Sequence, residues 1–135
     1  MYLDNFNQQH KDIKGLVATI QQYKFTQEVE SHAGDIARAL AKLAGLLSIH
    51  LAAEDKYLYP SLQKSEDQAV RDCATTFAKE MGGLAENFTS YKESYSTATK
   101  IKGAIDGFLT DTKVIMEALS CRLQKEEQEL YPLIE

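Results

Sequence analysis

A histidine and a glutamate lie four residues apart at positions 50 and 54, in a stretch rich in alanine and leucine. In an α-helix, side chains at i and i+4 lie on the same face, so His50 and Glu54 present an imidazole and a carboxylate to one point. Both groups are ligands of zinc and of ferrous iron. The spacing alone is weak, since it also occurs on solvated helix faces. Here the pair continues an apolar stripe, which favours a buried metal site.

The segment around this pair occurs twice in the chain. LSIHLAAEDKYLYP at 47–60 matches LSCRLQKEEQELYP at 119–132, with seven identical positions at a spacing of 72 residues. Further upstream the spacing is 71 residues and relates Phe6 to Phe77, Ile13 to Leu84 and His10 to Met81. The repeat indicates four candidate metal ligands, which are His10, His50, Glu54 and Glu126. In the second copy, Met81 and Arg122 replace the expected histidines.

The elements that must position these residues are four helices. The chain is rich in Ala, Leu, Lys, Gln and Glu and lacks strand-like alternation. The 3/4 spacing of apolar residues predicts helices over 2–24, 32–62, 66–96 and 104–131. Ser31 is predicted as the N-cap of the second helix, and Gly103 is predicted in the turn before the fourth. The predicted fold is all-α, an antiparallel up-down-up-down four-helix bundle.

Equal distances from the turns should bring the polar positions to one height. His10 and the His50/Glu54 pair are centred on a turn near residue 31, and Met81 and Arg122/Glu126 on a turn near residue 102. All six side chains should therefore lie in one layer. The predicted organisation is a single domain, 1–135, made of two duplicated hairpins at about 1–63 and 64–135.

On the form H-x-x-x-E-[DE]-x-x-L-Y-P, the chain resembles the hemerythrin-like HHE cation-binding family over essentially its whole length. The resemblance implies a four-helix bundle with two H…HxxxE hairpins. In that family, six ligands hold a non-haem di-iron centre used for oxygen or nitric oxide chemistry, storage or sensing. The ligand pattern is carried over to His10, His50, Glu54 and Glu126. It fails at the two positions of the second copy already named.

Those two departures lead to three alternatives. Met81 is interpreted as a space-filling side chain, because a thioether is a poor iron ligand. Arg122 cannot lose its proton and so cannot ligate a cation. The favoured hypothesis is a metal-free layer in which Arg122 pairs with Glu54 and Glu126. The second alternative is one metal ion with Arg122 extending out of the end of the bundle, and the third is a full di-iron centre.

Function follows these alternatives. The first expectation is a regulatory, sensing or protein-interaction module with an incomplete metal site and no cofactor. The alternative is a protein that binds one or two iron ions, zinc being less favoured, and that binds or senses oxygen or nitric oxide. Histidine phosphotransfer at His10 is disfavoured because that side chain should point inward. No catalytic constellation is apparent, so the chain is not expected to be an enzyme.

Composition bounds the partners and the compartment. The chain has 135 residues and a formal charge of −5 without a basic stripe, which argues against nucleic acid or an anionic membrane. No signal segment or run of about 20 apolar residues is apparent. Two cysteines, Cys73 and Cys121, are expected as reduced thiols, and the expected location is cytoplasmic. A protein partner is favoured, and the oligomeric state stays open between monomer and homodimer.

Two pairs of residues near the layer have alternative interpretations. Tyr59 and Tyr131 are expected to pack at the end of the bundle, with an access route to the layer as the alternative. Gly82 and Gly83 directly follow Met81 inside the third helix. They indicate either a close approach of two helices or a bend.

Overall fold

The computed structural model describes residues 2–134, apart from the side chain of Tyr2. Met1 and Glu135, the ends of the predicted domain, lie outside the described residues. The described chain is helical and contains no strand between residues 2 and 134, so the predicted all-α class is confirmed. The helices are α1 (Tyr2–Gln21), α2 (Thr26–Ser31), α3 (Ala33–Ala53), α4 (Tyr59–Gln63), α5 (Gln68–Ser94), α6 (Ala98–Lys102) and α7 (Ile105–Lys125).

Four long helical stretches correspond to the predicted helices, and the connections hold two short helices, α2 and α6, that were not predicted. The prediction of Ser31 as an N-cap is wrong. Ser31 is the last residue of α2, and the break before α3 falls at His32, which has φ −117° and ψ 19°. The N–H group of His32 bonds the carbonyl of Glu28 and so closes α2 directly before α3 begins. Gly103 lies between α6 and α7, as predicted.

Two π-helical segments interrupt the long helices at equivalent places. One runs Glu54–Leu58 between α3 and α4, and the other runs Glu126–Leu130 after α7. A 3₁₀ turn, Tyr131–Ile134, follows the second segment. Each segment ends two residues before a proline of a Leu-Tyr-Pro triplet, Pro60 or Pro132. Proline has no N–H group to donate and its ring crowds the preceding turn, so the chain widens ahead of it. Such π-bulges are frequent at functional sites.

The long helices enclose two apolar clusters. α1 packs against α3 and α7, and α5 packs against α4 and α7. The larger cluster is formed by 19 buried residues along the helices, and the smaller one contains Phe6, Leu58, Tyr59, Leu62, Ala74, Phe77, Leu130 and Tyr131. Along α1, His10 lies between Phe6 of the smaller cluster and Ile13 of the larger one. The polar layer therefore lies between two apolar clusters.

The stretch Ala33–Gln63 is long and apolar enough to cross a membrane by length and composition alone. The sequence analysis did not find this stretch. Core helices of soluble proteins meet the same test, and this helix buries Ile36, Leu40, Leu43, Leu47, His50 and Glu54 in the protein. The feature is therefore weak support for a membrane location.

The glycines of α5 do not mark a close approach of two helices. A Cβ atom built on Gly82 or Gly83 would meet no atom within 4 Å, and both residues are exposed.

Cys73 and Cys121 are both free thiols. Cys73 is partly buried and Cys121 is exposed.

Candidate metal centre

The structure brings together the four candidate ligands of the sequence analysis. One ligand atom from each of His10, His50, Glu54 and Glu126 lies within 4.8 Å of the others. His10 comes from α1 and His50 from the last turn of α3, while Glu54 and Glu126 begin the two π segments. His10 is 1% exposed and the other three are fully buried. A buried cluster of two imidazoles and two carboxylates could hold a metal ion.

The spacing of the ligand atoms fits one ion. His10 Nε2 lies 3.1 Å from His50 Nε2 and 3.0 Å from Glu126 Oε1. His50 Nε2 lies 3.3 Å from Glu126 Oε1 and 3.3 Å from Glu54 Oε2. Ligands at about 2.0 Å from a tetrahedral ion lie roughly 3.3 Å apart. Four of the six separations among these atoms therefore match a single coordination sphere, and the ligand atoms of all four residues lie within 4.8 Å of one another.

Hydrogen bonds on the outer side orient both imidazoles. His10 Nδ1 lies 2.8 Å from Glu127 Oε2, which also accepts a bond of 2.6 Å from Lys14 Nζ. His50 Nδ1 lies 2.8 Å from Gln9 Oε1. When Nδ1 carries the proton, Nε2 presents a lone pair to the cluster, which is the arrangement of metal-binding histidines. The sequence analysis missed Gln9 and Glu127, although each directly adjoins a candidate ligand.

Tyr131 reaches the cluster directly. Its hydroxyl donates to Glu54 Oε2 at 2.9 Å and lies 2.8 Å from His10 Nε2. The ring stacks on Phe6 at 5.6 Å between centroids. Tyr131 also lines a surface groove of about 270 Å³ together with Leu3, Asn7, Glu127 and Pro132. Tyr131 therefore does more than pack, because it lies between the groove and the candidate ligands.

The electrostatics of the cluster favour a cation between the carboxylates. Burial lowers the pKa of His50, but hydrogen bonds and charges of Glu126 and Glu54 outweigh burial and raise that pKa to about 9. Burial raises the pKa of Glu126, but the hydrogen bonds and charges of His10 and His50 lower it to about 2. Burial also raises the pKa of Glu54, and Glu126 adds to this effect. Without a metal ion, a proton on His50 supplies the positive charge.

The hypothesis that Arg122 pairs with Glu54 and Glu126 is wrong. Its Nη1 donates to Glu80 Oε2 at 2.9 Å and its Nη2 donates to the carbonyl of Phe77 at 2.8 Å. The guanidinium lies 4.1 Å from the centroid of the Phe77 ring. Glu80 is half-exposed, so this pair keeps one partner in water while the arginine is 5% exposed. An ion pair of this kind avoids most of the desolvation cost of burying two charges.

The alternative in which Arg122 extends out of the bundle is closer to the structure. The two Nη groups bond residues of α5 and not the candidate ligands, although the side chain stays buried. Met81 is 3% exposed and packs in the larger apolar cluster, which agrees with its interpretation as a space-filling residue. The second copy therefore contributes Glu126 to the layer but no ligand atom from position 81 or 122.

The fold and the site together define a class of protein: an all-α protein with a buried His/Glu cluster that could bind a metal. The family model for the hemerythrin HHE cation binding domain matches residues 1–134. The chain therefore belongs to the hemerythrin HHE cation-binding domain family. No curated protein and no solved structure matches it.

Proposed function

We propose that the protein binds one divalent metal ion through His10, His50, Glu54 and Glu126 and uses it in sensing. The observation that supports this most strongly is the convergence of four buried ligand atoms within 4.8 Å of one another, with four of their separations at 3.0–3.3 Å. The family typically binds iron, so ferrous iron is the proposed ion, with zinc as the alternative.

We also infer that the four long helices form the antiparallel up-down-up-down bundle, which agrees with the packing of α1 on α3 and α7.

Charge balance supports one ion rather than two or none. Arg122 is offset by Glu80, so the sequence-based argument that its charge disfavours a metal no longer applies. Glu54 and Glu126 carry −2 when ionised, and one divalent ion with neutral imidazoles makes the layer neutral. A second divalent ion would leave +2 in a buried site, and uncompensated buried charge costs several kcal/mol per ion.

Ferrous iron held in this way would supply a site for a small ligand such as oxygen or nitric oxide. The residues around it serve binding and positioning: Glu127 and Gln9 orient the imidazoles, and Tyr131 donates a hydrogen bond into the site. The buried surroundings exclude bulk water. The described layer offers no nucleophile beside the candidate ligands, so sensing or regulation through a protein partner is proposed in preference to catalysis.

Metal titration tests the proposal. Metal-free protein, titrated with ferrous iron under anaerobic conditions and separately with zinc, should bind one ion per chain. His50→Ala should abolish this stoichiometric binding, because it removes a ligand and leaves a gap in the coordination sphere. His32→Ala is the matched control, since His32 is exposed and lies outside the cluster, and it should bind as the native chain does. Equal binding by native chain and His50→Ala, or none by either, would refute the proposal.

A further inference from the structure

Four buried polar side-chain atoms of the layer have no hydrogen-bond partner among the described residues. They are Glu54 Oε1, Glu126 Oε2, the hydroxyl of Tyr59 and Arg122 Nε. The two glutamates are fully buried, and Tyr59 and Arg122 are each 5% exposed. Buried polar atoms are nearly always hydrogen-bonded to protein or to ordered water. Four exceptions in adjoining residues indicate a ligand that the protein itself does not supply.

The four atoms share one neighbourhood. Burial, together with the negative charges of Glu54 and Glu126, raises the pKa of Tyr59, while the positive charge of Arg122 acts in the opposite direction. Backbone geometry brings the same residues together. The N–H group of Tyr59 bonds the carbonyl of Glu54, and the N–H group of Glu126 bonds the carbonyl of Arg122, so each pair lies about one turn apart on its helix. Ligand atoms of the two glutamates lie within 4.8 Å of each other. Tyr59 and the Phe77 ring beneath Arg122 also belong to the same apolar cluster.

The repeat explains why the Tyr59 hydroxyl has lost its partner. Tyr59 corresponds to Tyr131, whose hydroxyl lies 2.8 Å from His10 Nε2. The residue that corresponds to His10 is Met81, and a thioether sulfur is only a weak hydrogen-bond acceptor. Tyr59 of the first copy thus corresponds to Tyr131 of the second copy, but the side chain at the position equivalent to His10 cannot replace the imidazole.

The chemistry of the four atoms selects one kind of ligand. Two are carboxylate oxygens that accept hydrogen bonds, and two are groups that donate them. An anion would be repelled by Glu54 and Glu126, and a second metal ion would be repelled by the guanidinium. We propose that these four atoms together bind one water molecule. The water donates to Glu54 Oε1 and Glu126 Oε2 and accepts from the Tyr59 hydroxyl and Arg122 Nε. This is the full hydrogen-bonding capacity of a water molecule.

A water molecule in this place also positions the metal ligands, a consequence that rests on the proposed metal function. It holds one oxygen of each glutamate on the side of Arg122, and the other oxygen of each then faces the imidazoles. Tyr59 is accordingly a positioning residue. Partners of this kind typically contribute 10- to 100-fold to metal affinity, so Tyr59→Phe should weaken binding by about that factor.

Crystallography of the metal-free protein tests the water directly. Expected is a density peak at about 2.6–3.2 Å from all four atoms, without anomalous signal at the iron or zinc edge. Tyr59→Phe crystals should lose the peak or show it weakened. Direct pairing of Arg122 Nε with either glutamate would overturn the proposal, as would an anomalous peak at this position.

Metal affinity gives the second readout. Tyr59→Phe should bind zinc about 10- to 100-fold more weakly than the native chain. The control is Tyr91→Phe, since the buried hydroxyl of Tyr91 bonds Thr112 at 2.7 Å, outside the polar layer, and its loss should leave zinc affinity unchanged. Unchanged affinity in Tyr59→Phe would overturn the positioning role. If the native chain binds no metal, the proposed function fails, whereas the water peak in metal-free crystals is decided independently.

Discussion

His50 and Arg122 occupy equivalent places in the two copies, and their outer contacts are also equivalent. His50 Nδ1 bonds Gln9, and Arg122 Nη1 bonds Glu80, the residue that corresponds to Gln9 at the 71-residue spacing. The aromatic contacts correspond in the same way. His50 packs edge-on against Phe6 at 5.9 Å, and Arg122 lies over the equivalent Phe77.

At position 122, the second copy thus keeps the outer hydrogen bond and the aromatic contact but lacks the nitrogen that faces the metal site. An imidazole has one nitrogen for the outer acceptor and one for the metal, whereas the guanidinium uses its Nη groups for Glu80 and the Phe77 carbonyl. The substitution therefore removes a metal ligand without removing the packing that surrounds it. One copy of a repeat can therefore lose a metal ligand while the contacts that surround that position remain.

Restoring the lost ligands should give the largest effect. The double variant Arg122→His, Met81→His should bind two metal ions per chain instead of one. Glu80 can orient the new imidazole as Gln9 orients His50, and its negative charge, no longer paired with Arg122, offsets part of the charge of the second ion. Elemental analysis after anaerobic loading with ferrous iron gives the stoichiometry. Arg122→Gln, Met81→Leu is the control and should stay at one ion. A double-histidine variant that still binds one ion would show that the two scaffolds are not equivalent.

In the metal-free protein, alanine at position 50 and alanine at position 122 should lower the free energy of unfolding by different amounts. His50→Ala should cost about 3–5 kcal/mol, because it leaves two buried carboxylates without a cation. Arg122→Ala should cost only about 1–3 kcal/mol, since its carboxylate partner Glu80 is half-exposed and stays hydrated. Urea unfolding in the presence of a chelator measures both. The reverse order would mean that Arg122 does pair with the inward glutamates.

The pH dependence of stability should come from the buried cluster of His50, Glu54 and Glu126. His50 has its pKa raised from 6.5 to about 9 in the metal-free protein, so its contribution is fully present below pH 6.5 and is lost as pH rises through 9. Across that range unfolding should become easier by up to about 3 kcal/mol. Glu126, with its pKa lowered from 4.5 to about 2, adds stability above pH 4.5 that is lost as pH falls toward 2.

Urea unfolding at pH 6 and pH 9 with a chelator checks the His50 effect. His50→Gln is the comparison variant and should show a much smaller change between these two values. A native chain as stable at pH 9 as at pH 6 would mean that His50 is neutral in the metal-free cluster.

The smallest effect is expected just after position 81. The first copy has Lys11 and Asp12 after His10, while the second has Gly82 and Gly83 after Met81. Gly82→Ala and Gly83→Ala should each stabilise the protein by up to about 1 kcal/mol, because both sites are open and helical. Thermal unfolding measures this shift. Destabilisation by either alanine would show that the glycine serves a contact or a bend in α5.

Much of the site could be predicted because the repeat constrains it. Equal distances from the two turns placed His10, His50, Glu54 and Glu126 at one height, and their positions on apolar stripes indicated burial. The directions of individual side chains could not be predicted. Arg122 had a choice of acceptors, and the sequence does not reveal that Glu80 lies nearer to it than the inward glutamates.

Local backbone details were also beyond the sequence. The two π segments depend on how the chain accommodates Pro60 and Pro132. The periodicity of apolar residues is averaged over several helical turns and does not show such a local widening. The short helices α2 and α6 lie in connections where helix signals are weak. Gln9 and Glu127 could not be predicted as partners of the imidazoles, because a polar residue next to a ligand is just as often solvated on the helix surface.

The most direct test of the account is a crystal structure of the iron-loaded native protein with anomalous diffraction data. One anomalous peak bounded by His10, His50, Glu54 and Glu126 is predicted, with the Arg122 guanidinium still bonded to Glu80. Two metal peaks, or none at full iron loading, would contradict it.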